Sequence, residues 1–97
     1  MAATIHVIAT FRSKAGKEEA LKAVLIALVP PARRELGCYQ YDLLQSSGDS
    51  QAFALVERWD SDKALDRHLE TDHVKKAVDD WADLIEVPLQ VTRYSLV

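Results

Sequence analysis

Residues 67–73 read RHLETDH and set two imidazoles, His68 and His73, five positions apart with acids and a threonine between them. Histidine changes charge near neutral pH, so such a pair can serve as base and acid or can ligate a metal. On one unbroken helix five residues turn about 500°, which leaves the two rings roughly 140° apart. That spacing excludes the shared helix face of an i,i+4 ligand pair. Ser61 and Thr71 are both candidate N-caps, however, and two caps would place the histidines on different helices. No cysteine or third histidine lies nearby in the sequence, so the expectation is that they hold no metal.

His68 shares its helix stripe with Leu65 and Leu69 and is expected to face inward, as a pocket base or as a donor to a substrate oxygen. The plainer alternative is a structural histidine with a satisfied hydrogen bond, since burial without a partner is costly. His73 falls in the first turn of a following helix, whose positive end favours neutral imidazole. The sequence favours the plainer reading there, a helix-start residue facing outward. On the stretch FALVERW, Phe53, Leu55, Glu57 and Trp59 alternate onto one strand face. A carboxylate among apolar neighbours must meet a cation, a histidine or a substrate hydroxyl. Arg93 and Arg12 are the candidate cations. Trp59 can stack on a flat ring or fill the core, and Tyr39 and Tyr41, on one strand face, each offer a hydroxyl.

These residues need a scaffold. Thr4–Arg12 is β-branched and aromatic, a strand; Leu21, Val24, Leu25 and Leu28 form an apolar helix stripe after Lys17. Pro30 and Pro31 are expected to break or kink that helix, with another turn before Gly37 ends it. Cys38–Ser46 and Ala52–Trp59 read as a hairpin across the polar turn Ser47–Ser50. A helix capped by Ser61 and a second capped by Thr71, bearing Val74, Ala77, Val78, Trp81, Leu84 and Ile85 on one face, run to Pro88. Leu89–Val97 is the last strand. The order is β-α-β-β-α-β with each helical segment split: an α+β, ferredoxin-like antiparallel sheet with helices on one face, in a single domain spanning residues 1–97. The opposite sheet face carries His6, Ile8, Thr10, Ala54, Val56, Arg58, Cys38, Gln40, Asp42 and Leu44. It is too apolar for water alone and too polar for a core, which suits a partner subunit and predicts a homodimer.

Composition narrows the functional classes. Net charge is −3 with scattered cations, which argues against nucleic acid. The longest apolar run, Ala23–Val29, is too short to span a membrane. Residues 1–13 lack a basic region followed by an apolar core, so no secretion signal is expected. Cys38 is the single cysteine and fits a reducing cytoplasm, as a small buried hydrophobe. Three glycines build no phosphate loop, and no short metal motif occurs, so a tightly bound nucleotide or flavin is not expected.

Four stretches, FRSKAGKEEAL, GCYQYDLLQ, FALVERW and ALDRHLETDH, occur in an order and spacing that resembles the antibiotic biosynthesis monooxygenase family over nearly the whole chain. The resemblance implies a dimeric α/β barrel in which two such sheets pack face to face. It also implies cofactor-free oxidation, by O2, of a small electron-rich aromatic such as a quinol or anthrone. His68 would be base or donor, Glu57 would orient it, and His73 would be a second imidazole. Trp59, Tyr41 and Leu55 would shape the substrate pocket. A sister branch isomerises a phosphorylated sugar-like signal and shares the His-x-x-x-x-His spacing, with Arg12, Lys14 or Arg34 as phosphate partners. A non-catalytic binding module is the third alternative. A haem-degrading branch fits poorly, because its asparagine and axial-histidine positions carry Ala9 and Val78 and only Trp59 matches.

Overall fold

The computed structural model describes residues 4–97. The reading of residues 1–13 as free of a secretion signal falls in part on residues 1–3, which lie outside that range. The elements run β1 (Ile5–Arg12), α1 (Glu18–Arg33), β2 (Cys38–Gln45), β3 (Ala52–Trp59), α2 (Asp62–Leu69), α3 (Asp72–Trp81) and β4 (Gln90–Tyr94). All four strands pair antiparallel in the order β2-β3-β1-β4. This is the expected ferredoxin-like plan, with β4 shorter than the sequence suggested. No helix among the described residues is long and apolar enough to cross a membrane.

The period-2 pattern of β1 and β3 decides which sheet face the helices cover. Ile5, Val7, Ala9 and Phe11 stand opposite Trp59, Glu57, Leu55 and Phe53, and all eight side chains are buried. Leu21, Leu25, Leu28 and Ala32 bring α1 onto this layer, while Ala64, Leu65, Val74, Ala77 and Trp81 bring α2 and α3.

The prolines do not break the helix: α1 continues through Pro30 and Pro31 to Arg33, and the first helical segment is not split. Two prolines remove the donors that would reach the carbonyls of Ile26 and Ala27, and both of those residues are exposed. Water can take the missing partners' place there, so the helix persists. The second helical segment does divide. Ser61 Oγ accepts from Ala64 N at 3.2 Å to cap α2. Thr71 Oγ1 accepts from Val74 N at 3.4 Å to cap α3 and donates to the His68 carbonyl at 2.7 Å, joining the two helices through one hydroxyl.

A register shift between Cys38 and Gln40 corrects the expected faces of β2. The irregularity pairs Cys38 with Trp59 and packs it against the core, not on the outer face. It also separates the two tyrosines: Tyr41 is enclosed, whereas Tyr39 lies exposed beneath the Arg58 guanidinium, 5.7 Å from its ring centre. The outer face remains partly apolar, with Ile8 39%, Leu44 53% and Tyr94 49% exposed.

Candidate functional site

His68 sits in the last turn of α2 and is buried, with its ring over the indole of Trp59 (centroids 4.6 Å apart) and edge-on to Tyr41 (5.3 Å). Its Nδ1 lies 2.7 Å from Glu35 Oε2. The same oxygen lies 2.7 Å from Nε2 of His73, the second residue of α3. One carboxylate oxygen therefore ties together the ends of α1, α2 and α3. His73 is turned inward by this bond, not outward as the sequence favoured.

Glu35 carries the weight of the cluster and escaped the sequence reading. It lies 33 residues upstream of His68 in the turn between α1 and β2. That turn is fixed by backbone bonds from Glu35 N to Ala32 O (3.1 Å) and from Cys38 N to Glu35 O (3.2 Å). Gly37 closes it at φ +85°, a left-handed value that a side chain resists, and a Cβ there would stand 2.8 Å from Ala64 Cβ. Its carbonyl accepts from Asp60 N at 2.9 Å. Chain reversal, glycine and strand end together press the Glu35 turn against the start of α2, which aims the carboxylate at both rings. The sequence signal was only ARRELG, a helix end before a glycine.

Proton positions follow from chemistry. An ionised carboxylate oxygen only accepts, so the two nitrogens facing it carry protons. Neutral His68 is then the Nδ1–H tautomer with its lone pair on Nε2. That nitrogen has no protein hydrogen-bond partner among the described residues, and His68 lines a cavity of about 240 Å³. Burial holds His68 below the ordinary histidine pKa and outweighs the opposing hydrogen bond and charge of Glu35. The ring is thus an oriented, neutral base, in the arrangement by which a carboxylate fixes a catalytic imidazole.

The cavity lies on the inner sheet face between β4 and the pair α2–α3. Val7, Ala9, Leu55, Leu65, Val74 and Trp81 form much of its wall, with Tyr41, Glu57, His68 and Arg93 as polar points. Of the residues singled out in the sequence, His68, Glu57, Tyr41 and Leu55 are brought to this wall. Trp59 is not: completely enclosed, it packs behind the imidazole and donates from Nε1 to Glu57 Oε1 at 2.9 Å. Glu57 neither orients His68 nor pairs with an arginine. Arg12 is held by Asp49 and Glu86, and Arg93 by Asp62 and Asp66, on the nearby helix α2. Glu35 takes the orienting position that Glu57 was expected to fill. Tyr41 is raised far above its ordinary pKa by burial, with the charges of Glu57 and Glu35 adding, so its hydroxyl stays protonated. A second, shallower groove of about 390 Å³ between α1 and β2, lined by Lys22, Ile26, Arg33 and Leu43 among others, holds no buried ionisable group and offers no comparable chemistry.

Burial raises the Glu57 carboxyl from 4.5 to about 7, against the Trp59 hydrogen bond that lowers it and with the charge of Glu35 adding. The native carboxyl keeps its proton where the unfolded one has lost it, so this group's contribution to stability falls as pH rises from about 4.5 to about 7. The size is about 3 kcal/mol. Glu57→Gln keeps the acceptor for Trp59 and removes the titration. Denaturant melts should show the variant gaining on the wild type between pH 5 and pH 8 by that order; parallel pH dependences would refute the assignment.

Residues 4–80 match the antibiotic biosynthesis monooxygenase family. "Putative monooxygenase Rv0793" of Mycobacterium tuberculosis is 36% identical over 92 residues, 95% of this chain and 90% of that one. "Putative monooxygenase YcnE" of Bacillus subtilis is 33% identical over 88 residues, 91% of this chain and 93% of that one. The crystal structure of PA3566 from Pseudomonas aeruginosa superposes with a TM-score of 0.94 at 36% identity, covering 100% of this chain and 97% of that chain.

Proposed function

The chain belongs to the antibiotic biosynthesis monooxygenase family, and we propose that it is a cofactor-free monooxygenase acting with O2 on a small electron-rich aromatic, a quinol or anthrone-like ring. The observation that carries this reading is His68 on the wall of an apolar cavity, its pKa lowered by burial and its Nδ1 held by Glu35, which leaves Nε2 as the free basic nitrogen. A volume of about 240 Å³ lies below the range of about 300–1,000 Å³ typical of drug-sized ligand pockets, which favours one or two rings.

Ground-state O2 is a triplet and reacts slowly with ordinary organic molecules. An aromatic anion can pass it one electron and then recombine with the superoxide formed. His68 Nε2 takes the substrate hydroxyl proton and creates that anion inside a largely apolar site. Recombination forms a carbon–oxygen bond. The imidazolium returns its proton to the peroxide, with the Tyr41 and protonated Glu57 hydroxyls as further donors. Loss of water from the carbon hydroperoxide leaves one oxygen atom in the product.

The isomerase alternative needs a cation for phosphate. Arg93 is the one cation on the cavity wall, and two aspartates already engage it; Arg12, Lys14 and Arg34 are not part of that wall. The deciding experiment is oxygen uptake by metal-free protein across a panel of hydroquinones, naphthols and anthrones. Uptake that persists with chelator is expected. No uptake with any member would reject the reading, and turnover of a phosphorylated sugar would replace it with the isomerase. A binding module would take up the rings without consuming oxygen.

We propose further that the protein is a cytoplasmic homodimer whose partly apolar outer sheet faces pack together. Ile8, Val56 and Leu44 support this, with Asp42 and Arg58 in or beside the contact. Sedimentation at micromolar concentration should give the dimer mass. Val56→Lys should shift it toward monomer and lower the melting temperature, because a charge would be forced into the contact. A wild type of monomer mass would reject it.

A further inference from the structure

The histidine pair of residues 67–73 lacked a third ligand in the sequence, and the fold supplies one from 33 residues upstream of His68. We propose that Glu35, His68 and His73 form a binding site for a divalent transition ion such as Zn²⁺, and that filling it disables the cavity base. The ligand atoms, one carboxylate oxygen and two imidazole nitrogens, all lie within 4.8 Å of one another. This donor set suits zinc, cobalt or nickel better than magnesium or calcium.

Around an ion with bonds of about 2.05 Å, donors at right angles stand about 2.9 Å apart and tetrahedral donors about 3.3 Å apart. The oxygen now lies 2.7 Å from each nitrogen and the three donors span up to 4.8 Å, so on binding the oxygen must draw back by a few tenths of an ångström while the two rings move toward each other. The backbone of the Glu35 turn is fixed, but its side chain has rotatable bonds and the His73 ring is partly exposed, so the side chains can make this adjustment. The His73 side chain is 29% exposed, which gives an ion its route and water the remaining coordination positions.

Binding moves protons without consuming any reactant. On His68 the Nδ1–H bond breaks, an ion–Nδ1 bond forms, and the proton goes to Nε2. On His73 the proton passes from Nε2 to Nδ1. His68 Nε2 then donates where it had accepted. The ion sits behind the ring, outside the cavity, so an aromatic still enters but is no longer deprotonated. This second clause rests on the proposed monooxygenase reading; the binding clause does not.

Titration calorimetry with Zn²⁺ should show one saturable site per chain, weakened at least tenfold in both His73→Ala and Glu35→Gln. Affinity unchanged in His73→Ala, whose partly exposed side chain can be removed with the fold checked by circular dichroism, would overturn the site. So would the lack of a saturable site in the wild type. Nitrogen-15 spectra of His68 should show Nε2 turning from acceptor to donor on adding Zn²⁺, whether or not the protein consumes oxygen. An unchanged Nε2 signal at saturation would overturn the disabling step. Where oxygen uptake is measurable, Zn²⁺ should lower kcat at constant KM.

Discussion

His68→Ala is expected to lower kcat for quinol oxidation by about 10²–10⁴-fold, the usual contribution of a positioned general base. KM should change little, because the apolar wall of Val7, Ala9, Leu55 and Trp81 supplies most of the contact with a ring. The wild-type rate should rise with pH through an apparent pKa below 6.5, since burial holds the imidazole below its ordinary value. The ring is buried against Trp59 and Tyr41, so truncation also leaves a gap. It strips Glu35 Oε2 of one donor, which costs about 1–3 kcal/mol. His68→Asn, which keeps polar atoms in that space, is therefore the companion variant: it should fold more nearly as wild type and be as slow as His68→Ala. Undiminished turnover in both would remove His68 from the chemistry and leave the cavity as a binding site.

Periodicity made much of this arrangement legible. The Leu65–His68–Leu69 spacing turned His68 inward, and the caps at Ser61 and Thr71 divided the second helical segment. Alternation along β3 put Leu55 and Glu57 on the cavity side. These signals are local, and local geometry determines them.

What escaped depends on contacts between distant residues. Glu35 stands in no periodic pattern; its aim is set by a turn pressed against Asp60 and Ala64 through Gly37. His73 looked outward because nothing within its own helix calls it in, and only the carboxylate from the first turn does. Glu57 resembled the orienting acid because a carboxylate among the apolar residues of its strand face must find a partner, and a histidine was one candidate. Its neighbour Trp59 donates to it instead, and the candidate arginines are held by aspartates and a glutamate elsewhere. The bulge after Cys38 was equally hidden, since an extra residue in a strand leaves the alternation looking intact while reversing its faces.

Glu35→Gln should be nearly as damaging as loss of the base, on the order of 10²-fold or more in kcat. The carboxylate does two things for His68: it fixes the proton on Nδ1, and its charge stabilises the imidazolium formed when Nε2 takes the substrate proton. Glutamine keeps the shape and loses both. If its amide nitrogen faces the rings it favours the other tautomer and turns the lone pair away from the cavity; if its oxygen faces them, the stabilising charge is still gone. Removing a neighbouring anion disfavours the imidazolium, so the rising limb of the pH–rate profile should move to lower pH. Glu35→Asp shortens the side chain by one methylene, and a carboxylate that no longer reaches both nitrogens at 2.7 Å should recover only part of the rate. A purely structural Glu35 would slow the enzyme without moving that limb. A slow Glu35→Gln whose pH dependence matches the wild type would therefore demote the carboxylate to a brace between α1, α2 and α3.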